Sequence, residues 1–289
     1  MAVWTLGSIN EDRVYSLPHL PGAGETLAAA DHRIGLGGKG ANQSVAAARA
    51  GAVVHHIGMI GVDGDWAVSR LAGFGVDTRH VGRTDGATGH AMIMVAADGE
   101  NAIVIHPGAN AAQDEAGITA ALKAAAPGDI FLLQNETSAQ VMAAGVARER
   151  GLQVIYSAAP FAVETTQAVL PHVSVLVLNE VEHAQLTAAL GRPEGPEVVV
   201  TRGARGATWS RPGAGTIHQP AFAVSPVDTT GAGDCFTGTL AAGLNQGLDR
   251  TAALRRAAAA AALQVTRAGT ADAMPTRAAV DAFLAMQGQ

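Results

Sequence analysis

The 289-residue sequence has almost no cysteine and no long apolar run. Its single cysteine, Cys235, excludes an internal disulfide and a zinc site built from several thiolates, which favours a reducing compartment. No stretch approaches the roughly 18 apolar residues of a membrane span, and the first ten residues lack the basic and apolar regions of a signal peptide. We therefore expect a cytoplasmic protein with no membrane partner.

Positive charge and aromatic side chains are also scarce. The net charge is −6 and Lys and Arg form no run, so the electrostatic surface needed to bind a nucleic acid is missing. Aromatic residues make up only 4% of the chain, whereas there are 35 glycines. With 48% apolar residues, the chain is expected to bury one large core of aliphatic side chains, as a single domain spanning 1–289.

Short β-rich apolar runs alternate along the chain with Ala-rich segments of helical spacing. Strands are predicted at Val3–Ile9, Val53–Ile60, Ile130–Leu133, Val154–Ser157, Val173–Leu178 and Val198–Thr201. Helices are predicted at Ala41–Ala50, Asp65–Phe74, Asp114–Ala125, Ser138–Arg150, Glu180–Ala189, Ala232–Gln246, Thr251–Thr266 and Arg277–Met286. This alternation favours an α/β fold with a doubly wound, mostly parallel sheet and helices on both faces.

Two regions, at about 13–35 and 80–106, interrupt this alternation with extended segments and Pro and Gly turns. Thr88–Ala96 and Ala102–His106 are predicted to form a hairpin, because the Asp98-Gly99 pair between them suits a tight turn. We expect the two regions to form a small β-lid over one end of the sheet. Surface decoration without a lid function is the alternative.

The first glycine-rich segment covers 35–43 and runs into an Ala-rich helix. It matches the G-x-G-x-x-G dinucleotide pattern, but no acidic ribose ligand follows about 20 residues later. It is not a P-loop either, because Lys39 is followed by Gly40 rather than by Ser or Thr. An exposed backbone beside Lys39 and Asn42 suits a polyhydroxylated ligand. A plain helix-capping turn is the alternative.

The second glycine-rich segment covers 228–236 and also opens a helix. The small residues Gly231, Ala232 and Gly233 allow successive N–H groups to converge at the helix N-terminus, which predicts an anion hole. Asp234 lies in the same turn, where a carboxylate beside a phosphate can accept the proton of an attacking hydroxyl. A simple helix-capping role for Asp234 is the alternative.

Together the segments GGKGANQ (37–43) and DTTGAGD (228–234) resemble the ribokinase branch of the phosphofructokinase-B-type carbohydrate kinases. Segments 7–12, 21–26 and 100–110 are also similar, so that the likeness covers essentially the whole chain. The resemblance implies a ribokinase-like fold and ATP-dependent phosphorylation of the primary hydroxyl of a pentose, with D-ribose as the expected sugar. Another sugar or a nucleoside is the alternative substrate.

The resemblance also implies roles for individual residues, with Asp234 as the catalytic base. The expected sugar-binding residues are Asn10, Asp12, Gly38, Lys39, Asn42, Glu136 and Asp234. The expected ATP-binding residues are Asn179, Thr201, Arg202, Gly203, Ala204, Arg205, Gly206 and Gly233. Mg²⁺ is expected near Asn179 and Glu182, which without the resemblance predict only a helix N-terminus. A monovalent cation, K⁺, is expected beside Asp228, Thr230, Gln264, Arg267 and Gly269.

The sequence departs from the family pattern at a few positions. Ala273 replaces a frequent hydroxyl near the cation site, Ala258 replaces a His near the adenine, and Ser157 and His90 are expected to influence sugar preference. The resemblance further suggests a homodimer whose lids pair edge to edge. A nicotinamide-dependent enzyme built on segment 35–40 and a catalytically silent sugar-binding protein are the competing functions.

Overall fold

The computed structural model describes residues 1–287, which form two β-sheets and a set of surrounding helices. The strands are β1 Val3–Leu6, β2 Asn10–Leu17, β3 Asp31–Gly37, β4 Val54–Ile60, β5 Asp77–Arg83, β6 Gly89–Ala96, β7 Asn101–His106, β8 Ile130–Gln134, β9 Gln153–Ser157, β10 Val175–Asn179, β11 Glu197–Thr201, β12 Ala207–Ser210 and β13 Thr216–Gln219. The α-helices are α1 Lys39–Arg49, α2 Asp65–Gly73, α3 Glu115–Leu122, α4 Gln140–Glu149, α5 Val163–Val169, α6 Glu180–Leu190, α7 Ala232–Asn245, α8 Arg250–Gln264 and α9 Arg277–Met286.

The larger sheet has nine strands in the order β13-β12-β11-β10-β9-β8-β1-β4-β5. All neighbours from β11 to β5 are parallel, and only β12 and β13 at one edge are antiparallel. The predicted doubly wound, mostly parallel α/β sheet is therefore confirmed. No helix within residues 1–287 combines the length and apolar composition needed to cross a membrane.

Strand β8 shows why this sequence folds into a sheet buried on both faces. All of its residues are buried, and alternate side chains enter two different apolar clusters. Ile130 and Leu132 pack under α1, α7 and α8, whereas Phe131 and Leu133 pack under α3 and α4. Because successive side chains of a strand point to opposite faces, a continuous apolar run is what a central parallel strand requires.

The second sheet, which comes from the two regions predicted to form a lid and is called the lid below, has four strands in the order β3-β2-β6-β7. The predicted hairpin is present as the antiparallel pair β6 and β7. The predicted lid boundary at residue 80 is wrong, because residues 80–83 belong to β5, which pairs in parallel with β4 in the larger sheet. Strand β5 carries no apolar run that would mark it in the sequence, because it is an edge strand of mixed polarity.

His56 of β4 is fully buried beneath α1 and links the segment after β1, which leads into the second sheet, to α1, which follows that sheet. Its Nε2 lies 3.2 Å from the carbonyl oxygen of Gly7, and its Nδ1 lies 2.9 Å from the hydroxyl of Ser44. A carbonyl only accepts, so Nε2 carries the proton and Nδ1 accepts from Ser44. Burial lowers the pKa of His56 from 6.5 to about 4, with the Gly7 carbonyl opposing the shift. The ring is therefore neutral.

We expect the free energy of unfolding to decrease as the pH falls, because His56 is buried in its neutral form. In the unfolded chain His56 binds a proton below pH 6.5, whereas in the folded protein it does so only below about pH 4. The free energy of unfolding that His56 contributes above pH 6.5 is therefore lost as the pH falls from 6.5 to about 4. The shift corresponds to about 3 kcal/mol. Urea denaturation across this window will show a smaller loss for His56→Gln than for the wild type. The control His218→Gln changes an exposed histidine and will show the same pH dependence as the wild type. If the free energy of unfolding fell equally with pH in all three proteins, the assignment to His56 would be contradicted.

Candidate active site

The predicted site residues gather where the parallel strands end. Asn10 begins β2 just beyond the end of β1, Glu136 follows β8, Asn179 ends β10 and Thr201 ends β11. The carboxyl ends of parallel strands lie along the same edge of a sheet, and ligands of open α/β folds bind outside that edge. The N-termini of α1 and α7, which carry the two glycine-rich segments, meet at the same place.

A close backbone contact brings α1 against the end of β1. A Cβ atom on Gly40 would lie 2.2 Å from the Cα of Gly7, which is far inside contact distance. The hydroxyl of Ser8 donates to Glu136 at 2.5 Å, and the backbone N–H of Lys39 donates to the same carboxylate oxygen at 2.9 Å. Glu136 therefore joins the end of β1 to the start of α1.

Asp234 lies in the first turn of α7 and is only 8% exposed. Gly231 precedes this helix with φ of 79°, a conformation that glycine adopts without strain. The Asp234 carboxylate accepts hydrogen bonds on both oxygens, from Nδ2 of Asn42 at 3.1 Å and from Nε2 of Gln43 at 2.9 Å. These bonds directly join the two glycine-rich segments.

A cavity of about 200 Å³ opens above Asp234. Its walls come from the N-termini of α1, α6 and α7 and from the ends of β9, β10 and β11, and the lining residues include Lys39, Ser157, Asn179, Glu182, Thr201, Thr229, Gly231, Ala232, Gly233, Asp234 and Thr237. A second opening of about 490 Å³ lies between the lid and the main sheet and is lined by Asn10, Ile105 and Glu136 among others.

The charged groups of the site influence one another. Burial raises the pKa of Asp12 to about 7, with further contributions from Glu136 and Asp234 and an opposing one from Lys39. The negative charge of Asp234 is the main cause of a raised pKa at Lys39. Burial also raises the pKa of Glu182. The lysine is therefore held charged among carboxylates.

Asn179 and Glu182 form a reciprocal cap at the start of α6. The Asn179 side chain accepts from the Glu182 N–H at 2.9 Å, and Oε2 of Glu182 accepts from the Asn179 N–H at 2.8 Å. Both residues also line the cavity. Within residues 1–287, no three His, Cys, Asp or Glu side chains converge into a metal cluster.

The predicted ATP-binding segment 201–206 is only partly at the cavity. Thr201 lines it, whereas 202–206 form a turn beside it, with the guanidinium groups of Arg202 and Arg205 paired to Glu180.

The predicted cation segment forms a closed loop. The Asp228 carboxylate accepts from the N–H groups of Thr230 at 2.9 Å and Gly269 at 3.0 Å.

The family follows from comparison with known proteins. The profile described as pfkB family carbohydrate kinase matches residues 2–277. The chain belongs to this family. The kinase is 37% identical to the ribokinase of Haemophilus influenzae over 298 residues, covering 96% of this chain and 97% of that protein. It is 35% identical to the ribokinase of Bacillus subtilis over 294 residues, covering 98% and 99%.

Solved structures agree with this assignment. The structure described as Arabidopsis thaliana ribokinase complexed with ribose and ATP superposes with a TM-score of 0.88 at 31% identity, covering 98% of this chain and 99% of that one. The predicted ribokinase-like fold is therefore confirmed. A dinucleotide site on segment 35–40 finds no support in this kinase, because the strand before it, β3, is an exposed lid strand rather than a buried central one.

Sequence reasoning missed three amide side chains that organise the site of this pfkB-family kinase. Gln43 contacts Asp234, Gln134 donates to Gln43 at 2.9 Å, and Asn110 donates to the side chain of Asn10 at 2.7 Å. A signal for each is visible in the sequence: Gln43 is in the first glycine-rich motif, Gln134 is the polar residue that follows an apolar strand, and Asn110 ends the family-like segment 100–110.

The expected influence of His90 on the sugar is not supported by its position. In the lid, Asp12 pairs with Ala91, whereas His90 pairs with Glu11. Alternation places Ala91 on the face of Asp12 and His90 on the opposite face, where its ring lies 5.1 Å from that of His106.

The contact between Gly7 and Gly40 predicts that alanine is destabilising at position 40 but not at another glycine of the same motif. Gly40→Ala will force β1 and α1 apart and lower stability by about 2–3 kcal/mol, a typical cost of overpacking that exceeds alanine's better helix propensity. Gly35→Ala in the same motif is the control, because nothing lies within 4 Å of its added Cβ. Urea denaturation will compare the two variants. Equal stability of both would show that the backbones separate without strain.

Proposed function

We propose that this kinase transfers the γ-phosphate of ATP to the primary hydroxyl of D-ribose. The observation that carries the proposal is the hydrogen bond of 3.1 Å between Asn42 and Asp234, which are 192 residues apart. It holds a side chain suited to sugar hydroxyls directly against a carboxylate suited to general-base catalysis, and that carboxylate lines the cavity at the strand ends. Ribokinases at 35–37% identity support the choice of sugar.

The sugar-binding residues proposed are Asn10, Asp12, Gly38, Lys39, Asn42, Glu136 and Asp234. Amide and carboxylate groups are suited to vicinal hydroxyls because each makes more than one hydrogen bond. The Oδ1 atom of Asn42 is buried and has no hydrogen-bond partner within residues 1–287. A buried acceptor without a partner is costly, and a sugar hydroxyl would satisfy it.

In the proposed reaction, Asp234 accepts the proton of the primary hydroxyl while the hydroxyl oxygen forms a bond to the γ-phosphorus. The bond from that phosphorus to the oxygen bridging it to the β-phosphate breaks, and ADP leaves. The N–H groups of Gly231, Ala232 and Gly233, at the N-terminus of α7, are the proposed anion hole for the charge on the transferring group. Closure of the lid would exclude water and so prevent hydrolysis of ATP.

ATP is proposed to occupy the cavity beside α6 and β11, in contact with Asn179, Gly233 and segment 201–206. Mg²⁺ would be held through water by Asn179 and Glu182 and would neutralise charge on the phosphate oxygens when bound. The residues fit this use, because the helix cap engages Oε2 of Glu182 and leaves Oε1 for a metal-bound water. A preference for retained waters is typical of magnesium.

A monovalent cation, K⁺, is proposed at the loop formed by Asp228, Thr230, Gln264, Arg267 and Gly269. The carbonyl oxygens of Thr230 and Gly269 converge on the Gln264 amide, at 2.7 and 3.1 Å from its Nε2. The Oε1 atom of Gln264 is buried without a hydrogen-bond partner within residues 1–287. Clustered carbonyl oxygens next to an unsatisfied acceptor fit a cation, although Ala273 contributes no hydroxyl.

The proposal extends to a cytoplasmic homodimer of single-domain subunits, with 1–289 as one domain that includes the lid. Strand β7 is an edge of the lid and exposes Ile103, Val104 and Ile105 by 52–58% of their surface. Such an edge invites pairing with another copy of the same lid. The buried lone Cys235 suits a reducing compartment.

A coupled ADP-release assay tests the reaction and the sugar together. We expect D-ribose to give a higher kcat/KM than 2-deoxyribose, fructose derivatives, adenosine or pseudouridine. Asp234→Asn will lower kcat by at least about 100-fold, because the general base is lost, with little change in the KM for ribose. Asp249→Asn, at the N-cap of α8, is the control and will keep wild-type turnover. Near-normal turnover of Asp234→Asn would refute the proposed base, and preference for another compound would refute the proposed sugar.

The raised pKa of Asp12 predicts weaker sugar binding in acid. As the pH falls through about 7, Asp12 becomes protonated and loses its negative charge. The KM for the sugar will then rise, approaching about tenfold per pH unit well below the pKa. Asp12→Asn will have a high KM without this dependence. Glu11→Gln, on the opposite face of β2, will keep the wild-type profile. A wild-type profile in Asp12→Asn would contradict the assignment.

A further inference from the structure

Behind Asp234 lies a chain of two buried glutamine side chains. Nε2 of Gln43 lies 2.9 Å from Oδ1 of Asp234, and Nε2 of Gln134 lies 2.9 Å from Oε1 of Gln43. Gln43 is 0% exposed and Gln134 is 1% exposed, and neither lines the two openings at the strand ends. Neither side chain is placed to touch a ligand.

The chemistry of the groups fixes the direction of these hydrogen bonds. An ionised carboxylate only accepts, so the nitrogen of Gln43 must face Asp234 and its oxygen must face away. The only side-chain group of Gln134 that can satisfy that oxygen is its nitrogen. The directions of the two bonds therefore agree from β8 through α1 to α7, and the chain of hydrogen bonds ends at Oε1 of Gln134, which is buried without a partner within residues 1–287. A reversed amide at either glutamine would place two acceptors together.

Asn42, which precedes Gln43 on α1, also contacts Asp234 but differs from Gln43 in its surroundings. Asn42 donates to the other carboxylate oxygen, is 5% exposed, and keeps a buried Oδ1 without a hydrogen-bond partner within residues 1–287, so it is the amide that we assign to the sugar. Consecutive residues on a helix point about 100° apart, which allows the two amides to reach different oxygens of Asp234. Asp234 is thus held on both oxygens, and only one of the two amides belongs to the proposed sugar-binding residues.

We propose that Gln43, anchored by Gln134, is a positioning residue that fixes the orientation of the Asp234 carboxylate toward the attacking hydroxyl. The inference rests on the proposed function, in which Asp234 is the base. Without Gln43, the Oδ1 side of the carboxylate loses its donor and the side chain can rotate. Small misplacements of a reacting group lower turnover more than they lower binding.

The test is a set of variants assayed for ribose-dependent ADP release by the full chain. Gln43→Leu will lower kcat by about 10- to 100-fold, since orientation effects reach this size, and will leave the KM for ribose within about threefold. In the Asp234→Asn background, the same substitution will have almost no further effect, because no base remains to be oriented. Gln134→Met, which removes only the anchor, is the second variant and will lower kcat in the same direction by a smaller factor.

The matched control is Asn245→Leu, which removes another buried amide at the far end of α7, where Asn245 donates to the Ala2 carbonyl at 3.0 Å. It will lower the thermal midpoint while leaving kcat unchanged. Equal losses from Gln43→Leu in both backgrounds, or a loss confined to KM, would overturn the inference. Unchanged turnover in Gln43→Leu and Gln134→Met, with Asp234→Asn inactive, would overturn the inference but not the base. Normal turnover in Asp234→Asn would refute both.

Discussion

A buried carboxylate that must find hydrogen-bond donors organises the centre of this molecule. Asp234 is almost inaccessible to solvent, and a charge in that position is stable only when polar groups replace the lost water. Asn42, at the end of the first turn of α1, and Gln43, immediately after it, supply these groups. That turn can reach Asp234 because Gly7 and Gly40 permit β1 and α1 to touch. The packing of α1 against β1 and the hydrogen bonding of Asp234 therefore depend on the same contact between Gly7 and Gly40.

Much of the fold was predictable because the larger sheet is buried on both faces. Central strands such as β8 are uninterrupted apolar runs, and they stand out against the Ala-rich helices. The elements that were missed lack this signal. Strand β5 contains charged residues, β12 and the edge strand β13 have four residues each, and α5 has only seven residues. Their positions are decided by the neighbours on which they pack, which a local pattern does not contain.

The site was predictable in its motifs but not in its internal contacts. The two glycine-rich segments were recognised as one site, and Asp234 and Asn42 are in contact. The roles of Gln43 and Gln134 depend on a hydrogen bond between residues 91 positions apart, which no spacing rule reveals. The face occupied by His90 depends on strand register, because a shift of one residue reverses every side chain.

The lid is formed by two separate segments of the chain rather than by one continuous insertion. The chain enters the lid at β2, returns to the body through α1, and enters the lid again only after β5. The parallel pairing of β2 with β6 joins two lid segments whose connection passes through the main sheet. No single deletion can remove this lid, and no single cassette can transplant it to another scaffold. Changing acceptor specificity by exchanging the lid would therefore require the joint replacement of two segments, 10–37 and 89–106.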